Sequence, residues 1–142
     1  MTSEQQQILH LLTAYLRDKV QFALYFGSFA TDSFGAKGIT EPSDIDLAIY
    51  LGRKTDFNEQ ENIRHELFLI ETIPFKLDVV FLDNADPIIK KQILDSGTPF
   101  VMNNREEYLK FKMYSISEYI DFKMDRKIIE DRMISRYTRE KA

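Results

Sequence analysis

Three aspartates stand where they could share a metal site. Asp44 and Asp46 are two residues apart in the segment Ser-Asp-Ile-Asp-Leu-Ala-Ile, which alternates like a β-strand. Side chains alternate along a strand, so both carboxylates point to one face, with Cα atoms roughly 6.5 Å apart. Two carboxylates that close repel each other, and a cation that prefers oxygen ligands, such as Mg²⁺, relieves the repulsion.

The third aspartate lies in a later strand. Asp78 is the one acidic residue in the apolar run 77–82. If the two strands are neighbours, Asp78 joins the first pair, and three carboxylates can hold two metal ions about 4 Å apart. Such a pair of ions binds a triphosphate, activates an attacking oxygen and stabilises the leaving pyrophosphate.

A glycine and a serine supply the groups that a phosphate needs. Gly27 and Ser28 follow the apolar run 20–26 and open a predicted short helix. The first N–H groups of a helix are free to bind phosphate oxygens. Gly27 lets the backbone come close, and the Ser28 hydroxyl adds a donor. The sequence therefore predicts a phosphate-binding turn beside the metal site.

Each of these features has an ordinary structural interpretation when it is taken alone. A Gly-Ser pair is more often a turn and helix cap, a single Asp-x-Asp on a strand is a weak metal signal, and Asp78 could simply face water. The combination is far more specific: strand, Gly-Ser, loop, Asp-x-Asp on the next strand, then Asp in a later apolar strand. We therefore favour the functional interpretation of the set.

Hydrophobic periodicity predicts the elements that position these residues. Helices are predicted over 3–18 and 57–70, from Pro87 to about 94, and from about 105 almost to the end, with a break near 115–117. Strands are predicted over 20–26, 44–51, 76–82 and 100–102, the last at an edge. The order indicates an α/β (α+β) fold, a small mixed sheet flanked by helices with a C-terminal helical tail. Residues 1–142 form one domain, with a core over about 1–102 and a helical segment over about 104–140.

Composition narrows the class of protein. The 142 residues carry a net charge of −4 and no cysteine, so disulfides and thiolate zinc sites are excluded. An acidic chain with scattered basic residues lacks the footprint of a nucleic-acid binder. No apolar run approaches the ~20 residues that span a bilayer, and the N-terminus is unlike a signal peptide. We expect a soluble cytoplasmic protein that binds neither membrane nor nucleic acid.

The C-terminal segment carries two adjacent apolar stripes. One contains Tyr108, Phe111, Tyr119 and Phe122, and the other contains Leu109, Met113, Ile116 and Ile120. The aromatic stripe favours a place in the core. Because two stripes exceed what one core face needs, a partner surface is the alternative. The charged part from Asp125 onward is expected to be a solvated helix, or one that a partner orders.

The motif residues resemble the polymerase-β-like nucleotidyltransferase superfamily, and the resemblance spans about residues 20–102. The short length and the C-terminal segment are similar to the MntA-type antitoxins, which are paired with HEPN ribonuclease toxins. The resemblance implies that Asp44 and Asp46 bind both of two Mg²⁺ ions. It implies that Asp78 binds one ion and helps to deprotonate the acceptor, and that Gly27 and Ser28 hold the β- and γ-phosphates.

By this resemblance the chain is expected to move AMP from ATP to a hydroxyl, a tyrosine of a HEPN toxin, and so to act as its antitoxin. Two alternatives stay open: a small-molecule nucleotidyltransferase of the antibiotic-modifying kind, and a non-catalytic antitoxin that acts by binding alone. Many relatives carry a basic residue directly after Gly-Ser, where this chain has Phe29. That departure favours the binding-only alternative slightly, although Lys37 could supply the missing charge.

Overall fold

Four strands and four α-helices make up the parts of the chain that the computed structural model describes, residues 3–27, 45–70 and 77–141. The helices are α1 (Ser3–Leu16), α2 (Phe57–Phe68), α3 (Pro87–Ser96) and α4 (Arg105–Lys141). The strands are β1 (Phe22–Phe26), β2 (Ile45–Tyr50), β3 (Leu77–Phe81) and β4 (Thr98–Met102). No helix in these ranges combines the length and apolarity that crossing a bilayer requires.

The strands form one mixed sheet in the order β3-β2-β1-β4. β1 is antiparallel to both β2 and β4, whereas β2 and β3 are parallel. The predicted fold class is confirmed, and β4 lies at an edge of the sheet as predicted. Among the described strands β3 forms the other edge, so the strand of Asp78 pairs there with β2 alone.

The alternation of β2 divides the core between the two faces of the sheet. Ile45, Leu47 and Ile49 are buried against α1 and α2, together with Leu12 and Leu67. On the opposite face Ala48 is buried with residues of β1, α3 and α4. Asp46 belongs to this second face because it shares the even-numbered alternation of Ala48.

The predicted start of α3 is confirmed in atomic detail, and the helix ends at Ser96, just beyond the predicted 94. The Asp86 carboxylate accepts a hydrogen bond from the Ile89 amide at 2.9 Å, and Pro87 is the first helical residue. A proline fits that position because its missing N–H would have no helical partner. Gly97 follows the last residue and donates its amide to the Ile93 carbonyl at 2.7 Å.

The predicted break in the C-terminal segment is wrong, because α4 runs without interruption over 37 residues. Serine in a helix costs only about 0.5 kcal/mol relative to alanine, which strong neighbouring helix formers offset. Ser115 is also buried, with 1% of its surface exposed. A small residue at a buried helical position lets the helix approach its neighbours closely.

The two apolar stripes of α4 have different environments. Phe111 packs against Phe22 and Tyr50, with ring centroids 5.7 and 4.5 Å apart, and Tyr108 also contacts Phe22. The first part of the aromatic stripe therefore belongs to the core. Residues of the other stripe are exposed: Leu109 by 48%, Met113 by 70%, Ile116 by 36% and Ile120 by 51%.

A carboxylate at the end of β3 supports the turn after β2. The two Asp83 oxygens accept hydrogen bonds from the amides of Leu51 and Gly52, both at 2.9 Å.

Asp83→Ala should lower the free energy of unfolding by about 1–3 kcal/mol, because hydrogen bonds to a charged group are lost. Urea denaturation measures the change. Asp95→Ala is the control. This exposed carboxylate pairs with Lys91 one helical turn away, so its loss should change the free energy of unfolding by less than about 0.5 kcal/mol. Equal losses in the two variants would contradict the role given to Asp83.

Two tyrosines make the free energy of unfolding vary with pH in the alkaline range. Burial raises the pKa of Tyr15, and the hydrogen bond from its hydroxyl to Glu66 raises it further. Burial also raises the pKa of Tyr50, with a smaller contribution from nearby carboxylates. The neutral forms are therefore favoured in the folded state, whereas an unfolded tyrosine ionises near pH ~10.

The sign of the effect follows from linkage between protonation and folding. The contribution is complete below pH ~10 and is lost as the pH rises from there through the folded-state pKa. Urea unfolding should show a falling free energy of unfolding above pH ~10. Tyr15→Phe should show a smaller fall, to which Tyr50 still contributes. The same pH dependence in Tyr15→Phe and in the unmodified protein would exclude Tyr15 as a source.

Candidate active site

The structure brings three of the predicted site residues together at one end of the sheet. Asp46 of β2 is the register partner of Asp78 on the parallel strand β3. Neighbouring strands lie about 4.8 Å apart, and register partners point to the same face. The two carboxylates therefore stand side by side, although 31 residues separate them in the chain. On its other side, Asp46 is the register partner of Phe26 on β1.

Helices α3 and α4 cover the neighbouring part of this face, and among the described residues they stop short of the two carboxylates. Ala48, two residues after Asp46, is fully buried under the core formed with α3 and α4. Tyr50, two residues further, packs against the rings of Phe22 and Phe111, with centroids 4.8 and 4.5 Å away. Asp46 is half-buried and Asp78 is exposed. Ligands can thus reach Asp78, and partly Asp46, past the described residues at this end of the strands.

Gly27 brings the backbone against the Asp46 carboxylate. It follows β1 directly and has φ = +69°, a conformation that favours glycine. A Cβ atom at this position would overlap Oδ2 of Asp46 and lie 3.3 Å from its Cγ. The absence of a side chain is therefore needed twice, for the backbone conformation and for the close approach. A phosphate bound at Gly27 would lie next to the carboxylate pair.

The donor set suits a hard divalent cation. Both groups are carboxylates, they share one face, and at least one is open to solvent, which is the ligand chemistry that Mg²⁺ prefers. Within residues 3–27, 45–70 and 77–141, no group of three or more potential metal ligands occurs. The predicted third carboxylate, Asp44, lies outside the described residues. Ser28, with the predicted short helix, lies outside them too.

One neighbour of the site was not predicted from the sequence, and two histidines lie away from the site. Phe26, predicted only as the end of an apolar strand, is half-buried beside Asp46. Its position directly before Gly27 was the signal that could have identified it. His10 and His65 are exposed on α1 and α2, the helices that cover the opposite face of the sheet. They are therefore placed apart from the carboxylates.

The fold and the site define the class of protein. The family model described as polymerase beta, nucleotidyltransferase matches residues 6–106, and the chain belongs to this family. The predicted family is thereby confirmed. No curated protein matches the chain.

Solved structures of toxin–antitoxin complexes contain chains with a similar fold. In the MntA–HepT complex the similar chain has 21% identity and a TM-score of 0.68, with 91% of this chain and 98% of that chain covered. A chain in the complex of a tri-AMPylated Shewanella oneidensis HEPN toxin with MNT antitoxin has 22% identity and a TM-score of 0.69, with 92% of this chain and 98% of that chain covered. A chain in a toxin–antitoxin structure with AMP-PNP has 23% identity and a TM-score of 0.69, with 89% of this chain and 98% of that chain covered. The predicted resemblance to MntA-type antitoxins is confirmed as a likeness of fold.

Proposed function

We propose that this chain is a Mg²⁺-dependent protein adenylyltransferase that moves AMP from ATP to a tyrosine of a HEPN toxin, and so acts as its antitoxin. The placement of Asp46 beside Asp78, with the Gly27 backbone against the Asp46 carboxylate, carries the proposal. Three facts support the choice of reaction and partner: the family is one of nucleotidyltransferases, one similar complex contains an AMPylated toxin, and another contains an ATP analogue.

Each site residue has a distinct proposed role. Asp46, together with Asp44, holds two Mg²⁺ ions, and Asp78 holds one of them. Gly27 and Ser28 donate hydrogen bonds to the β- and γ-phosphates of ATP. When bound there, the ions would supply positive charge to the triphosphate and to the leaving pyrophosphate.

The transfer forms one bond and breaks another. The acceptor oxygen bonds to the α-phosphorus, the bond from that phosphorus to the pyrophosphate oxygen breaks, and the hydroxyl proton leaves. The exposed Asp78 carboxylate is suited to help remove that proton because an incoming hydroxyl can reach it. β3 is also an edge strand, so the acceptor can be a residue on another protein that approaches along this side.

The product of the gene adjacent to that of this chain is the acceptor to test. It should be incubated with the protein, ATP and MgCl₂, and its intact mass and ribonuclease activity should then be measured. We expect a gain of one or more AMP units, loss of the gain when magnesium is chelated, and a fall in ribonuclease activity in proportion to the gain. A fall in activity through a stable complex without any mass gain would replace this proposal with inhibition by binding alone.

A further inference from the structure

The second half of α4 extends away from the body of the protein. A helix of 37 residues is about 55 Å long at ~1.5 Å per residue. The side chains of residues 120–139 are all exposed. Exposure of so many side chains, large apolar ones included, indicates that this part of the helix gains its packing from another molecule.

One face of this segment has an ordered pattern of charge. Eight residues separated by steps of three and four, apart from the adjacent central pair, lie on a single face of the helix. We name this face the α4 seam, and it comprises Glu118, Asp121, Asp125, Ile128, Ile129, Arg132, Arg136 and Arg139. All eight are exposed. The seam is acidic in its first part, aliphatic at its centre and basic in its last part.

The seam is complementary to itself when it is reversed. We propose that the α4 seams of two copies of this chain pair in antiparallel orientation about Ile128 and Ile129. The step pattern is symmetric about this centre, so each acid meets an arginine of the other copy. Asp125 faces Arg132, Asp121 faces Arg136, and Glu118 faces Arg139, each pair occurring twice. The isoleucines of the two copies meet at the centre, where 48% and 57% of their surfaces are now exposed.

The charges of the α4 seam also determine the antiparallel orientation of the two helices and the identity of the partner, a second copy of this chain. Parallel seams would place acid against acid and arginine against arginine, which is repulsive. Glu118 already pairs with Lys90 at 3.3 Å. Within the described residues, no ion pair inside the chain engages the other five charged residues of the seam, so they are available to a second copy. The complement that this face needs is present on the same face of an identical chain.

Charge reversal gives a test with a built-in rescue. The basic-seam variant carries Asp121→Lys with Asp125→Lys, and the acidic-seam variant carries Arg132→Glu with Arg136→Glu. Sedimentation velocity should show the unmodified protein as a dimer that dissociates at high salt. Each variant alone should be monomeric, because like charges then face each other. An equimolar mixture of the two variants should regain the dimer, since every reversed pair is again of opposite sign.

A matched control distinguishes the effect of the α4 seam on dimerisation from the effect of overall net charge. Lys123→Glu with Lys127→Glu makes the same net change as the acidic-seam variant on the other side of the helix, and it should stay dimeric. The rescue in the mixture also excludes misfolding as the cause of dissociation. The proposal is overturned if the unmodified protein is monomeric, if the control dissociates like the acidic-seam variant, or if the mixture stays monomeric. The toxin would then be the occupant to examine.

Discussion

Asp46→Asn is expected to lower the rate of AMP transfer about 10³-fold or more and to leave the fold intact. The substitution keeps the size of the side chain but removes a charge from a proposed ligand of both metal ions. Losing such a ligand costs several kcal/mol of transition-state stabilisation, and each 1.36 kcal/mol is a factor of ten in rate. Stability should change little, because asparagine has nearly the size and shape of aspartate. The measurements are single-turnover transfer from ATP and urea denaturation.

Asp83→Ala provides the opposite pattern as a control. Asp83 lies at the far end of β3 and bonds to backbone amides after β2, away from the proposed site. This variant should lose stability yet keep the transfer rate per folded molecule. Near-normal transfer by Asp46→Asn would remove the carboxylate pair from the mechanism, whatever the outcome for Asp83.

Gly27→Ala is expected to reduce transfer at least about 100-fold, the second largest effect. The added Cβ overlaps Oδ2 of Asp46, so the carboxylate must move away from its place beside Asp78. A displacement of about 1 Å in a reacting site can cost 10²-fold in rate. The positive φ adds about 1–2 kcal/mol of backbone strain, which should appear as lost stability.

Gly52→Ala carries the same strain without the same contact. Gly52 has φ = +80°, and the atoms nearest to a Cβ there belong to the Gln21 side chain, with its Cγ at 3.0 Å. We expect comparable destabilisation in both variants, by urea unfolding, and reduced transfer in Gly27→Ala alone. If both variants lose transfer equally, backbone strain is the cause and the contact with Asp46 is irrelevant.

Most helices and strands could be predicted from the sequence because the patterns that define them involve residues close together in the chain. The strict alternation around Asp46 defines β2, and the Asp86-Pro87 pair at one end and Gly97 at the other define α3, all from residues within a few positions. The spacing of Asp44 and Asp46 also predicts a shared face. The roles of these aspartates in metal binding and transfer stay predictions.

Other features depend on contacts between residues distant in the chain. Asp46 and Asp78 are neighbours because β2 pairs with β3. The sequence predicted this proximity only if the two strands were adjacent in the sheet. The contact of Gly27 with Asp46 likewise requires the pairing of β1 with β2. The wrongly predicted break at Ser115 shows the same limit, because burial against the body outweighed a weak local preference.

The position of the transferred phosphorus decides between nucleotidyl transfer and other reactions of ATP. The partner protein should be incubated with this chain and MgCl₂, using ATP labelled at the α-phosphate in one reaction and at the γ-phosphate in another. We predict that the α-label becomes attached to the partner, that the γ-label leaves as pyrophosphate, and that Asp46→Asn abolishes both. Attachment of the γ-label, or attachment of the α-label that persists in Asp46→Asn, would contradict the proposed role of the carboxylate pair.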